Sequence, residues 1–158
     1  MATVNQACNL LKKWLKMPCT ESNGKADRYI IAPWNRATGC HAKASQNPWC
    51  AITVSSCLKQ IKAAGFSMSS TCKNQKAYFK KHKRFFKTGT KPRRGDVLFI
   101  TGHEGIITCV RTNGTGAYIS GNSSNAVRLG SFNWKTGKCG SRKTKYHKWE
   151  LSCHKSSR

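Results

Sequence analysis

The stretch "SQNPWCAITVSSCLKQIKAAG" (residues 45–65) decides the fold, because it predicts a buried helix that begins at a cysteine. Its apolar residues recur at helical spacing, so we expect a helix over residues 50–64 with Gly65 as its C-terminal glycine. A thiol in the first helical turn lies where the helix dipole and the unpaired N–H groups favour a thiolate. Cys50 is therefore either a small core residue or a nucleophile.

Outward from this helix, the chain divides into a helical first half and a strand-rich second half. Residues 3–16 form an amphipathic pattern with a capping box, and residues 18–49 predict an irregular segment with one short helix. Alternating, β-branched stretches that predict strands follow at 95–110, 117–132 and 143–151. We expect one α+β domain over residues 1–158, with N-terminal helices packed on an antiparallel sheet of about five to six strands.

The charge of the chain restricts its partners. Twenty-nine Lys and Arg face five Asp and Glu, giving a formal net charge of +24. Such a surface attracts polyanions, for which nucleic acid, anionic lipid and bacterial wall polymers are candidates. We find no apolar signal segment at the start and no stretch long enough to span a membrane. The nine cysteines are then expected as free thiols, although some could pair, and their connectivity cannot be deduced from sequence.

A nucleophilic thiol needs a base, which is usually histidine. Of the five histidines, His103 is the best placed, since it opens a predicted strand just after "GDVLFI". A strand end beside a helix N-terminus gives a workable Cys–His geometry. The remaining histidines lie in a lysine run or in irregular and terminal stretches: His41, His82, His147 and His154.

Three segments in order, "WCAITVSSCL", "RRGDVLFITGHEGIITCV" and "YISGN", resemble the CHAP and NlpC/P60 group of papain-like peptidoglycan amidases and endopeptidases. The matching positions are Trp49, Cys50, Ala51, Gly95, Asp96, His103, Gly105, Ile106, Gly121 and Asn122. The resemblance covers roughly residues 3–130. The opening "MATVNQ" and the missing signal segment resemble the start of a phage endolysin more than that of a secreted host enzyme. An endolysin would be made in the host cytoplasm without a signal peptide and act at the cell wall after release.

The resemblance implies a papain-like fold and a catalytic set of Cys50, His103 and Asn122, with no cofactor and no metal. One departure matters, because Ser120 stands where the family has a glutamate before Gly-Asn. Asn122 would then orient His103, as an amide does in Cys-His-Asn sites. Glu104 is the fallback for orienting His103. Side chains alternate along a strand, however, so the Glu104 side chain is expected to point away from the His103 face. An inactive relative is the alternative.

The resemblance also implies a substrate groove formed by the segment before the nucleophile helix. Trp49, Trp34 and the loop 20–34, with Glu21 and Asn23, are the expected groove residues. Gln46 or Asn47 could add an oxyanion contact, and Asp96 is expected to fix the start of its strand. With no separate wall-binding domain, the cationic surface would steer a monomeric enzyme to peptidoglycan and its anionic polymers.

Several alternatives stay open. The segment 139–155 contains Cys139, His147, Cys153 and His154, but their spacing is not that of a common zinc site. The basic, aromatic run 73–94 could bind nucleic acid non-specifically, although its rings are more simply explained as the core face of a helix. An amidase toxin delivered to rival bacteria would share the Cys–His chemistry. A non-catalytic basic nucleic-acid-binding protein would not need Cys50.

Overall fold

The computed structural model describes residues 2–86, 90–139 and 150–152. Four α-helices come first: α1 (Val4–Lys16), α2 (Ala32–Thr38), α3 (Cys50–Gln60) and α4 (Cys72–Lys81), with a π-helical turn at Asp27–Ile31 running into α2. Seven strands follow: β1 (Phe85–Phe86), β2 (Val97–Ile100), β3 (His103–Val110), β4 (Thr115–Ser123), β5 (Ala126–Asn133), β6 (Lys138–Cys139) and β7 (Glu150–Ser152).

The strands form one antiparallel sheet in the order β1-β7-β2-β3-β4-β5-β6. Its centre is the meander β2–β3–β4–β5, in which Val97 pairs with Ile106 and Ile106 with Ile119. The α+β class predicted from the sequence is confirmed. The described sheet has one or two more strands than expected, because the two-residue strands β1 and β6 are too short to give an alternating pattern.

Helix α3 lies at the centre of the molecule. Every residue from Cys50 to Leu58 is buried, and the helix packs on β3 and β4 on one side and on α1, α2 and α4 elsewhere. The main core forms where these elements meet, around Trp14, Ile30 and Ile52. Because α3 is surrounded, its first turn can be positioned precisely against the ends of the strands.

Most helix boundaries follow the sequence signals. Helix α1 begins at the predicted capping box, in which Thr3 and Gln6 exchange side-chain and backbone hydrogen bonds of 3.2 and 2.9 Å. Helix α3 ends at Gln60, earlier than predicted, because the left-handed conformation is adopted by Lys62 (φ 60°) before Gly65 is reached. Gly65 is therefore not the C-terminal glycine of α3, and that expectation was wrong.

The basic, aromatic run 73–94 forms α4 and β1 in its described part. Phe79 is buried in the core, and Tyr78 and Phe85 pack against it. Lys76 and Lys80 lie over the Phe85 ring at 5.5 and 4.9 Å. The prediction that the rings face the core is thus confirmed for Phe79. Most of the predicted strand 143–151 lies outside the described residues, and β7 covers only its end.

Candidate active site

Cys50 is the first residue of α3, and its neighbours hold the helix N-terminus against the sheet. Trp49 occupies the N-cap position but makes no side-chain capping hydrogen bond, so the N-cap residue leaves the first N–H groups of α3 uncapped. Strand β4 passes so close that a Cβ on Gly121 would lie 1.9 Å from the Thr53 hydroxyl oxygen and 2.9 Å from the Trp49 ring. Only glycine fits at this point, which explains the Gly-Asn motif.

Three neighbours act on the Cys50 thiol, and together they lower its pKa below the ordinary value of a cysteine. The largest cause is a hydrogen bond from Cys72, whose sulfur lies 3.6 Å from the Cys50 sulfur. Burial opposes this effect. A hydrogen bond and the positive charge of His103 then lower the pKa further, followed by the backbone N–H of Glu104. Cys50 is therefore favoured as a thiolate.

Cys72 lies at the start of α4 and has the opposite character, because its pKa is raised. The hydrogen bond to Cys50 is the main cause, and burial adds to it. Gln75 fixes this helix against α3, since its amide donates to the carbonyl oxygens of Ala51 (2.8 Å) and Ser69 (2.7 Å). Of the two thiols, Cys50 is the one whose pKa His103 and a backbone N–H lower, so Cys72 is the proton donor of the pair.

Glu104 is fully buried beside these thiols. Neither carboxyl oxygen has a hydrogen-bond partner among the described residues. Burial raises the pKa of Glu104 well above its ordinary value, and the charge of Cys50 raises it further, while the contact with Cys72 lowers it. Glu104 lowers the pKa of Cys50 through its backbone N–H, whereas His103, the first residue of β3, acts on that thiol through its side chain. That the Glu104 side chain points away from the His103 face stays a prediction.

Asn122 lies in β4, the strand beside β3. Continuing the pairing of Ile106 with Ile119 by three residues would place His103 opposite Asn122. Asn122 has a left-handed backbone conformation (φ 56°) in a region where the β4–β5 register shifts. Its side chain makes no hydrogen bond to any described residue, so no hydrogen bond holds the Asn122 amide to His103. His103, by contrast, acts on the Cys50 thiol. Ser120 is buried in the same strand.

A cavity of about 540 Å³ opens in front of the two thiols. Its lining includes Cys50 and Cys72, with Trp34, His41, Asn47 and Gly102 around them. Trp34 thus lies where the sequence predicted a groove residue, and its indole N–H donates to the Met68 carbonyl oxygen at 3.0 Å. Asn47, one of the two suggested oxyanion contacts, lines this cavity as well.

The other predicted groove residues lie elsewhere. Trp49 is fully buried, and its indole N–H points to the Glu21 carboxylate at 3.4 Å, so its ring does not form a groove wall. Glu21 lines a separate cavity of about 490 Å³ with Ser45 and Arg128. Asn23 organises its own turn, with its amide donating to the Pro18 carbonyl oxygen at 2.7 Å. These side chains position the loop before α2 and do not line the cavity at Cys50.

Asp96 is structural, as expected. It is buried, its carboxylate accepts a hydrogen bond from the Arg93 backbone at 2.8 Å, and its carbonyl oxygen accepts one from Ile107 at 2.9 Å. Cys72, by contrast, is a site residue that sequence reasoning missed, whereas Glu104 was considered only as a fallback for orienting His103. Cys72 had one usable signal, its position after Thr71 at a helix N-terminus, which the structure shows as an N-cap.

Within residues 2–86, 90–139 and 150–152, no group of three or more His, Cys, Asp or Glu side chains could hold a metal ion. Of the suggested zinc ligands, His147, Cys153 and His154 lie outside those ranges. No helix in the described part of the chain is long and apolar enough to cross a membrane. Comparison of the chain with protein-family models, curated proteins and solved structures gives no match.

Proposed function

We propose that the chain is a papain-like cysteine amidase or endopeptidase that cuts an amide bond in bacterial peptidoglycan. The observation that carries the proposal is the Cys50 thiol, which has a lowered pKa, lies beside His103 and opens into a cavity at a helix N-terminus. A thiolate next to a base and free N–H groups is the arrangement that acyl transfer requires. The wall substrate comes from the motif resemblance and from the charge of the chain.

In the proposed reaction, the Cys50 thiolate attacks the carbonyl carbon of the scissile amide. The oxyanion that forms lies at the N-terminus of α3, where the uncapped backbone N–H groups, that of Cys50 included, donate to it. His103 protonates the leaving amine, and the C–N bond breaks. A water molecule that His103 deprotonates then hydrolyses the thioester and returns Cys50 to its thiolate form.

Cys72 would keep Cys50 ionised between turnovers by donating its hydrogen bond. This device supplies part of the thiolate stabilisation that papain-like sites obtain from a Cys–His ion pair. Asn122 remains the proposed orienting residue for His103, since it lies in the neighbouring strand. Glu104 does not fit that role, because a buried carboxyl with a raised pKa is favoured in its neutral form.

The cationic surface fits an anionic wall as the site of action. Exposed lysines on α1 include Lys12, Lys13 and Lys16, and exposed lysines on α4 include Lys73, Lys80 and Lys81. Attraction to wall polyanions would concentrate the enzyme on its substrate without a separate binding domain. An amidase toxin delivered to rival bacteria would use the same site, and a specific inhibitor protein encoded beside it would distinguish that case.

The test is clearance of purified Gram-positive cell walls by the wild type, Cys50→Ala and Cys40→Ser. Cys40 is exposed and lines the same cavity, so its substitution controls for the loss of a thiol there. The wild type and Cys40→Ser should clear walls, and Cys50→Ala should be inactive. Mass spectrometry of the released ends identifies the bond. An amidase cuts the bond between the sugar and the peptide, whereas an endopeptidase cuts within the peptide and releases a new peptide amine. Inertness of all three on a panel of walls would refute the proposal.

A second candidate function, nucleic-acid binding, is favoured by the net charge of +24. The aromatic rings of α4 and β1 speak against base stacking, because Phe79 is buried and Tyr78 stacks on His82 at 4.1 Å. Binding to the phosphate backbone of DNA alone would show an affinity that falls steeply with salt and does not change in Cys50→Ala.

A further inference from the structure

Cys50 and Cys72 form a facing pair of thiols at the N-termini of two neighbouring helices, α3 and α4. Their sulfur atoms are 3.6 Å apart, and a disulfide bond requires about 2.05 Å. The gap to be closed is therefore about 1.5 Å. No residue of the chain separates the two sulfurs, because they are in hydrogen-bonding contact.

The two thiols also differ in the way that oxidation requires. Thiolates react with peroxides and thiols do not, so the ionised member of a pair is oxidised first. Cys50 is that member, with its lowered pKa, and Cys72 stands by as a protonated thiol. Both line the cavity in front of α3, which gives a small oxidant access to them.

Four other described cysteines, Cys8, Cys19, Cys40 and Cys57, lack this combination. Burial raises the pKa of Cys8, of Cys19 (to about 11) and of Cys57, so these thiols stay protonated and shielded. Cys40 lines the same cavity but is exposed, and no described thiol lies in hydrogen-bonding contact with it.

We propose that Cys50 and Cys72 form a reversible redox site, in which a hydroperoxide converts the nucleophile into a Cys50–Cys72 disulfide. In the first step the Cys50 thiolate attacks the terminal oxygen of the hydroperoxide, an S–O bond forms and the O–O bond breaks. The leaving alkoxide, which is hydroxide when the oxidant is hydrogen peroxide, takes up a proton from solvent to become an alcohol or water. Cys50 sulfenic acid results, oxidised by two electrons. In the second step the Cys72 sulfur attacks the Cys50 sulfur, the S–S bond forms, and the S–O bond breaks as water leaves with the Cys72 proton.

A low-molecular-weight dithiol reverses the change by thiol–disulfide exchange, in which it becomes a disulfide and both cysteines are again reduced. The disulfide occupies the nucleophile, so the oxidised protein cannot attack an amide. That consequence for hydrolysis rests on the proposed function, whereas formation of the disulfide does not. Cys72 also protects Cys50 from irreversible oxidation, because the disulfide forms before a second peroxide can react.

The test oxidises the reduced full-length chain with hydrogen peroxide, blocks free thiols with N-ethylmaleimide and maps tryptic peptides. Cys50 lies in the peptide 44–59 and Cys72 in the peptide 63–73. The expected product joins these two peptides, and fragmentation must place the bond on Cys50, because Cys57 shares the first peptide. Dithiothreitol should return both peptides to their reduced form. Cys40→Ser should give the same linked product.

In Cys72→Ser the linked product should be absent, and sulfinic acid on Cys50 should rise on the order of tenfold above the wild type. Cys50 linked to Cys40, or sulfinic acid forming equally fast in the wild type and Cys72→Ser, would overturn the proposal. These measurements need no substrate, so their outcome does not depend on whether the protein hydrolyses cell walls. If the wild type clears walls, peroxide treatment should abolish clearance and dithiothreitol should restore it. Both changes should parallel the amount of linked peptide.

Discussion

Helix α3 carries two cysteines whose surroundings differ sharply. Cys50, at the N-terminus, has a lowered pKa because Cys72, His103 and a backbone N–H surround its sulfur. Cys57, two turns later, has a pKa raised by burial and by the nearby Cys8, and its thiol lies 3.7 Å from the Ala7 carbonyl oxygen. The comparison teaches that position along one helix separates a reactive thiol from a core thiol, since only the helix end meets hydrogen-bond donors and solvent.

The largest expected effect comes from removing the base at the reactive end. His103→Ala should lower hydrolysis of cell walls by about 10²–10⁴-fold, because neither the leaving amine nor the attacking water can exchange a proton with the site. Initial rates of clearance measure the effect. His82→Ala, at an exposed position on the far end of α4, is the matched control and should keep wild-type rates. Equal rates for the two variants would remove His103 from the mechanism.

The next effect concerns Glu104, the buried carboxyl beside Cys50 and Cys72. The folded-state pKa of Glu104 is raised above its unfolded value of about 4.3. The contribution of Glu104 to stability is therefore fully present below about pH 4.3 and is lost as the pH rises through its folded-state pKa. Glu104→Gln should lack this loss, so its free energy of unfolding should exceed that of the wild type at pH 8 by about 1–3 kcal/mol.

Urea unfolding of both proteins at pH 4 and pH 8 measures this difference. Glu21→Gln, at a half-buried carboxylate that faces the Trp49 indole, controls for the loss of an acidic side chain. Parallel stability curves for the wild type and Glu104→Gln across this range would show that Glu104 is ionised without cost in the fold.

The smallest expected effect concerns Cys57, the core thiol of α3. Cys57→Ser places a hydroxyl where the structure has a fully buried thiol, which should lower the free energy of unfolding by about 1–2 kcal/mol. The rate of wall hydrolysis per folded molecule should not change. Thermal unfolding and clearance assays measure the two quantities. A hydrolysis defect in the folded Cys57→Ser protein would mean that the two ends of α3 are not independent.

The sequence was sufficient for the parts of the molecule that local patterns determine. The capping box of α1, the buried helix beginning at Cys50 and the strand beginning at His103 all lie where they were predicted. It was not sufficient for contacts between distant segments. Cys72 is 22 residues from Cys50, and nothing in its own stretch indicates that α4 folds back onto the start of α3.

The remaining differences have local physical causes. Trp49 was expected to line a groove, but the close passage of β4 at Gly121 covers its ring. Asn23 was expected to meet substrate, but its side-chain amide donates instead to the Pro18 carbonyl oxygen in the same turn. In both cases the residue type was informative and the packing around it decided its role.

The most direct test of the central claim is the pH dependence of alkylation of Cys50 by iodoacetamide, followed on peptide 44–59 in the wild type and in Cys72→Ala. We expect the wild-type midpoint well below the ordinary cysteine value of about 8.5, and we expect it to move upward in Cys72→Ala, because the main donor to the thiolate is lost. Cys57 should remain unmodified in both proteins. A Cys50 midpoint near the ordinary value and unchanged in Cys72→Ala would contradict the account.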